Sequence, residues 1–173
     1  MGSSKTVSIA LMTIFYAAVA VQEYHKMKVH FQDFSADEDV MLDEDEMYAI
    51  VTVSKVYGNL TPTINLHDYA TGYSAMKNVI NKTCKIHTSN ETMETMKIAI
   101  EKAIQNNGET EITQYVECSS KTPVLTSGLA TYGHRIATFC KNYNAVFIER
   151  HVVKRREKSI ARNQSICFLC VGC

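Results

Sequence analysis

An apolar run at the N-terminus, from Val7 to Ala20, constrains the cellular compartment in which the rest of the chain folds. It comes after a short segment with one positive charge, Lys5, and it ends in the small-x-small sequence Ala18-Val19-Ala20. At about 14 residues it is shorter than the roughly 20 that cross a bilayer as a helix. We therefore predict a signal peptide at 1–20, cut after Ala20, with an uncleaved membrane anchor as the alternative. A cleaved leader implies a secreted, extracellular protein.

The six cysteines take their meaning from that oxidising compartment, where an even number predicts disulfides. The spacing Cys167-x-x-Cys170-x-x-Cys173 resembles a set of metal ligands, but no fourth ligand is evident, so we predict no metal site. Their order alone does not select a pairing. The cysteines are Cys84, Cys118, Cys140, Cys167, Cys170 and Cys173. Four sequons add candidate N-glycosylation sites at Asn59, Asn81, Asn90 and Asn163.

Composition and motifs argue against several functional classes. The chain is 46% hydrophobic, enough for a core. Its formal net charge is zero, which argues against a nucleic-acid partner. The sequence has no phosphate-binding loop, dinucleotide-binding glycine pattern, nucleophile elbow or His-Glu-x-x-His motif. We predict a protein that is not an enzyme and that needs no cofactor.

Charge is unevenly distributed along the chain. Residues 33–46 hold eight acids and no Lys or Arg, whereas residues 150–162 hold six bases and one acid. The first stretch predicts a flexible acidic pro-segment at 21–46. The second predicts a basic linker that opens a Cys-rich C-terminal region at 151–173. The two stretches either attract each other or are separately solvated.

Hydrophobic periodicity between them predicts an α+β fold, in which helices cover a mixed or antiparallel sheet. The first helix is predicted to begin at a capping box formed by Thr88 and Glu91. Its apolar stripe is Met93, Met96, Ile100 and Ile104. The remaining predicted elements are strands at 48–53, 63–69, 73–86, 111–118 and 145–148, and a second helix from Leu129 to Cys140.

Asp68 is the most informative polar residue. It is in register with Ile64 and Leu66, so a regular strand would direct its carboxylate toward the core. A buried carboxylate either finds hydrogen-bond donors or stays protonated. The plainer alternative is a turn or cap residue at the end of a strand.

Three segments together resemble the BRICHOS family, which includes gastrokines, the lung surfactant protein C precursor, chondromodulin and the precursors of arenicin-type peptides. They are His67-Asp68-Tyr69-Ala70-Thr71-Gly72, Lys82-Thr83-Cys84 and Arg135-Ile136-Ala137-Thr138-Phe139-Cys140. The resemblance covers roughly 47–150 and implies a disulfide-stapled, BRICHOS-like α+β domain with a sheet of about five strands flanked by two helices. It assigns the family carboxylate to Asp68 and the family disulfide to Cys84 and Cys140. Closing that loop stabilises by roughly 3–4 kcal/mol on a loop-entropy estimate.

The resemblance also implies a function, because a BRICHOS domain acts as a chaperone for an aggregation-prone segment of its own precursor. Ser165–Cys173 has the character of such a client, since it carries no charged side chain and no Pro. Other β-prone peptides are further candidate partners. The alternative is that the segment forms the last strand of the fold.

The basic cluster Lys154-Arg155-Arg156 is a candidate processing site. Cleavage after Arg156 would free Glu157–Cys173 as an antimicrobial or host-defence peptide, for which an anionic membrane is a candidate partner. The free peptide would be only weakly cationic, which argues against membrane lysis. The alternative function is that of a gastrokine-like secreted extracellular or mucosal protein that acts intact through binding.

Overall fold

The structure is a computed structural model whose described residues form one mixed sheet of nine strands with three helical segments. It describes residues 22–31, 34–57, 61–111 and 114–154, with backbone alone at 31, 34, 114–120 and 150–154. The strands are β1 (Gln22–Phe31), β2 (Phe34–Asp43), β3 (Tyr48–Tyr57), β4 (Thr63–Asp68), β5 (Tyr73–Asn78), β6 (Thr83–Thr88), β7 (Glu109–Glu111), β8 (Gln114–Val124) and β9 (Asn144–Lys154). The helices are α1 (Met93–Gln105), a 3-10 helix (Thr126–Tyr132) and α2 (His134–Cys140).

Sheet order is β7-β1-β2-β3-β4-β5-β6-β9-β8. Strands β1 to β6 form an antiparallel meander, β9 adds parallel to β6, and β8 closes the far edge antiparallel to β9. Strand β7 pairs in parallel with β1 at the other edge. The expected sheet of about five strands flanked by two helices is therefore wrong.

The largest error concerns the acidic stretch at 21–46, which we predicted to be flexible and which contains β1 and β2. Ala36, Val40 and Leu42 are buried on one face of β2, and the acid Glu38 is buried with them, while Asp37 and Asp39 face the other side, so the period-2 pattern of a strand lies within the acidic stretch. Neighbouring strands supply opposite charges, because Lys26 Nζ lies 3.1 Å from Asp39 and Lys55 Nζ lies 3.1 Å from Asp37. The number of acidic residues gave no sign of either feature. Strands form before Met47, where we expected the domain to begin.

The predicted long strand at 73–86 is two strands, β5 and β6. The turn between them is held by the backbone N–H of Asn81, which donates to the side chain of Asn78 at 2.9 Å. Lys82 takes a positive φ of 51° there, which completes the reversal. Ile80 lies in this turn, within the predicted strand, and is 71% exposed.

Helix α1 begins later than predicted. Thr88 is the last residue of β6 and pairs with Tyr73, so it cannot cap the helix. The capping box is instead formed by Thr92 and Thr95, whose side chains and backbone N–H groups bond reciprocally. The buried stripe is Met93, Met96, Ala99, Ile100 and Ala103, whereas Ile104 is exposed.

The two faces of the sheet are covered by different helices. Helix α1 packs on the face that carries Ala49, Val51 and Val53, which we call the α1 face. The 3-10 helix and α2 pack on the opposite face, which carries Leu66, Ala75 and Ile86 and which we call the α2 face. Sheet register places Ile50, Leu66, Ala75 and Ile86 in one row, so this second core crosses four strands.

The predicted second helix, Leu129 to Cys140, is broken at Gly133. That residue has φ of +104°, a conformation that L side chains rarely adopt, and it separates the 3-10 helix from α2. Strand β8 extends through Pro123, beyond the end of the strand predicted at 111–118. An edge strand tolerates proline because one side of its backbone has no partner strand. Strand β9 is also longer than the predicted 145–148.

Candidate functional site

Asp68 lies on the α2 face and is 2% exposed, so its side chain turns inward in register with Leu66. Its Oδ1 accepts a hydrogen bond from Nη1 of Arg135, the second residue of α2, at 3.1 Å. The backbone carbonyl of Asp68 accepts from the N–H of Gly72, which forms the tight turn before β5. Of the two outcomes open to a buried carboxylate, the structure contains the one with a donor.

Arg135 connects three elements of the fold. Its Nη2 lies 2.7 Å from Oε2 of Glu46, in the turn between β2 and β3. Its guanidinium carbon lies 4.7 Å from the centre of the Tyr48 ring, within cation–π range. Burial raises the pKa of Tyr48, and the carboxylate of Asp43 raises it further, while Arg135 opposes both. Arg135 belongs to one of the three segments that resemble the BRICHOS family. Its ion pair with Asp68 could not be predicted, because the two residues are 67 positions apart in sequence.

A disulfide joins Cys84 on β6 to Cys140 at the end of α2, as the resemblance implies. Both cysteines are fully buried, and 56 residues separate them in sequence. Helix α2 has seven residues, too few to be stable alone in water. It is held to the sheet at both ends, by the ion pair of Arg135 near its start and by the disulfide at its last residue.

Among the residues that the structure describes, the other predicted site residues lie outside this arrangement. Asn81 and Asn90 are exposed, in the β5–β6 turn and just before α1, so both side chains are accessible to modification. Cys118 and Lys154 lie in β8 and β9, where the backbone alone is described. Outside the described residues lie Ala20, Asn59, Arg155, Arg156, Asn163, Cys167, Cys170 and Cys173.

A buried polar row on the α1 face was missed at the level of sequence. Register aligns His67, Ser74 and His87 across β4, β5 and β6, and each is 1% exposed. Nδ1 of His67 lies 3.1 Å from Oε2 of Glu91 and 3.4 Å from Oγ of Ser74. The alternation of side chains along the strand could have predicted this row, because it places His67 on the face of the sheet opposite to Asp68.

The geometry of this row differs from that of a catalytic triad. In a triad the serine and the carboxylate contact different nitrogens of the imidazole. Here Ser74 and Glu91 approach the same nitrogen of His67, so the ring cannot pass a proton from one to the other in this arrangement. Burial raises the pKa of the neighbouring Tyr69, and the charge of Glu91 adds to the effect. The row is best described as a polar part of the core.

Two further observations concern the described part of the chain. Within it, no group of three or more His, Cys, Asp or Glu side chains is arranged to hold a metal ion. None of its helices combines the length and the apolar character that a membrane crossing requires.

Comparison with known proteins found no match among protein families, curated proteins or solved structures. The resemblance to the BRICHOS family therefore depends only on the three sequence segments that contain Asp68, Cys84 and Cys140.

Proposed function

We propose that this chain is a secreted proprotein whose cross-linked sheet domain acts as an intramolecular chaperone for its own C-terminal segment, Ser165–Cys173. The segment carries no charged side chain and no Pro, which are the properties of a strand that pairs with copies of itself. A folded domain in the same chain can bind that segment before the segment pairs with another copy of the chain.

The observation that carries the proposal is the course of β9. This strand pairs with β6 over Asn144–Phe147 and with β8 along its length, and it runs to Lys154. The C-terminal segment is therefore tethered to the sheet through a linker of about ten residues. A short flexible tether gives an effective concentration on the order of millimolar, so intramolecular capture outcompetes self-association of dilute chains.

The two contacts that hold α2 on the sheet, a disulfide and an ion pair, also support a role as a chaperone. A domain that shields a client must itself remain folded while the client is exposed. The Cys84–Cys140 disulfide and the Arg135–Asp68 ion pair hold α2 over the apolar row of the α2 face. Without α2, that row would itself become an exposed, strand-bearing apolar surface.

Cysteine parity limits how the segment leaves. With Cys84 and Cys140 paired, Cys118 and three C-terminal cysteines remain. An odd number cannot be fully paired within a freed Glu157–Cys173 peptide. A bridge from Cys118 to the segment would keep it attached after cleavage at Arg156. Release of a free peptide therefore requires a free thiol, a dimer or reduction.

Mass spectrometry of the secreted protein, with and without reductant, tests processing. A fragment that begins at Glu157 supports a released host-defence peptide. An intact chain from Val21 to Cys173 supports the gastrokine-like alternative, in which the protein acts whole.

Aggregation of four matched chains tests the shielding role itself. Two carry the intact domain, with and without Glu157–Cys173. The other two carry Cys84→Ala and Cys140→Ala together, again with and without that segment. We expect the segment to accelerate aggregation only where the domain is loosened. Equal rates for the two loosened chains would show that the segment is not the client.

A further inference from the structure

Within the described residues, no helix covers the α2 face over β1 and β2. Helix α1 packs on the opposite face of these strands, whereas α2 packs over β4 and β5 and reaches β3 through Arg135, which contacts Tyr48. Tyr24, Met41 and Ile50 lie side by side across the open area, since register pairs Tyr24 with Met41 and Met41 with Ile50. They line a groove of about 370 Å³ together with Lys26, Asp39 and Thr52. Tyr24 is 71% exposed, so the strip is accessible.

The charges that border the strip cancel locally. Lys26 and Asp39 form an ion pair at 3.1 Å on the side of the groove away from the β2–β3 turn. The groove therefore has no excess charge with which to select a charged ligand. An exposed apolar strip with a polar border is the kind of surface that receives an apolar segment.

The C-terminal segment begins from a position that can reach this groove. Strand β9 enters the sheet beside Thr83 and passes Ile86, so it leaves at the end where β6 finishes. The β2–β3 turn lies at that same end, because Asp43 pairs with Tyr48 there. From β9 to β2 the sheet spans five strand spacings, about 24 Å across the strands. Register places Met41 level with Phe147, so Lys154 lies seven residues, about 23 Å, farther along the strand direction, and the direct distance is about 33 Å. The residues 155–168 can extend about 46–50 Å, which brings Phe168 within reach of the groove.

Charge favours the same path. The β2–β3 turn carries the exposed acids Glu44, Asp45 and Glu46. Glu44 pairs with Lys97 and Glu46 with Arg135, so Asp45 is the acid of this turn that belongs to no described ion pair. The linker that follows β9 carries Arg155, Arg156, Lys158 and Arg162 against Glu157. A basic linker that crosses an acidic turn is directed toward the groove, and the uncharged segment comes after the last of these bases.

We propose that Ser165–Cys173 docks in the groove lined by Tyr24, Met41 and Ile50. This deepens the proposed function, on which it rests, by assigning the client a binding surface on β1, β2 and β3. The basic linker steers the segment to the acidic turn, and the apolar side chains Phe168 and Leu169 contact the strip.

Photo-crosslinking in the full chain tests the assignment. The photoreactive residue p-benzoylphenylalanine replaces Leu169, and crosslinked peptides are mapped by mass spectrometry. We expect intramolecular crosslinks to Tyr24, Met41 or Ile50. Tyr24→Lys should lower their yield about fivefold, a loss of about 1 kcal/mol in the intramolecular equilibrium. Ile80→Lys is the matched control, because Ile80 is equally exposed but lies in the β5–β6 turn, and its yield should stay at the wild-type level.

The contrary outcomes separate this inference from the proposed function. Intramolecular crosslinks confined to the edge strand Gln114–Val124 would overturn the groove and leave shielding by the domain intact. Crosslinks found solely between chains, or a yield at the background level, would overturn both. Equal losses in the Tyr24 and Ile80 variants would also overturn the groove.

Discussion

Arg135 neutralises Asp68 from the opposite layer of the fold, with Nη1 of the guanidinium 3.1 Å from Oδ1 of the carboxylate. Asp68 is at the end of β4 and almost fully buried, whereas Arg135 is on α2 and 30% exposed. The arginine therefore stabilises a charge that water cannot reach, and its second nitrogen extends to the exposed Glu46. This contact and the disulfide determine where α2 lies.

Arg135→Met should lower the free energy of unfolding by about 3 kcal/mol, because it leaves the Asp68 carboxylate buried without its cation. Glu46→Gln should cost less than about 1 kcal/mol, since that contact is exposed to solvent. Urea unfolding of both variants at pH 7 measures the difference. Equal losses would mean that Asp68 does not depend on Arg135.

The double variant Cys84→Ala/Cys140→Ala should lose roughly 3–4 kcal/mol, because the unfolded chain regains the freedom of a loop whose ends are 56 residues apart. Both positions are fully buried, so the lost sulfur contacts add to the effect. Changing both cysteines avoids a reactive lone thiol. Calorimetry of the double variant beside the reduced wild type separates the crosslink from the packing. If reduction alone leaves the melting temperature unchanged, the crosslink does not contribute to stability.

Tyr69→Phe should reduce the loss of stability in alkaline solution. Burial raises the pKa of Tyr69 in the folded protein, and Glu91 raises it further. The unfolded chain releases this proton near pH 10, so the stability that the group contributes is complete below that pH and is lost as pH rises above it. Urea midpoints measured from pH 8 to 11 should therefore fall less steeply in the variant.

Tyr57→Phe provides the control for that titration, because Tyr57 is 60% exposed at the end of β3. Its urea midpoints should follow the wild-type curve. Parallel curves for the Tyr69 variant and the wild type would contradict the assignment.

Gly133→Ala should destabilise the protein by about 2 kcal/mol, since a side chain is strained at φ of +104°. The added Cβ would also lie 2.9 Å from Cγ2 of Thr71. Adding Thr71→Ser removes that methyl group and should restore part of the loss, while the backbone strain remains. No restoration in the double variant would assign the whole effect to the backbone.

The local pattern predicted what depends on near neighbours in the chain. A β-branched apolar run predicted the first part of β3, and alternation predicted β4 and the inward direction of Asp68. Three- and four-residue spacing predicted the buried Met93, Met96 and Ile100. The local pattern failed where a residue's structure depends on a contact with a residue that is distant in sequence. Asp37 and Asp39 of β2 are tolerated in the sheet because lysines of β3 and β1 pair with them, and a count of charges along the chain does not show this.

The sequence by itself determined the apolar run near the N-terminus, the cysteine number, the uncharged C-terminal segment and the alternation that directs Asp68 inward. Only the tertiary structure decided that nine strands of the described residues share one sheet, that Arg135 is the partner of Asp68 and that, within those residues, an apolar strip on β1 to β3 is left uncovered. The physical reason is that a side chain's direction is set by its own backbone. Its partner is set by register and packing among segments that are far apart along the chain.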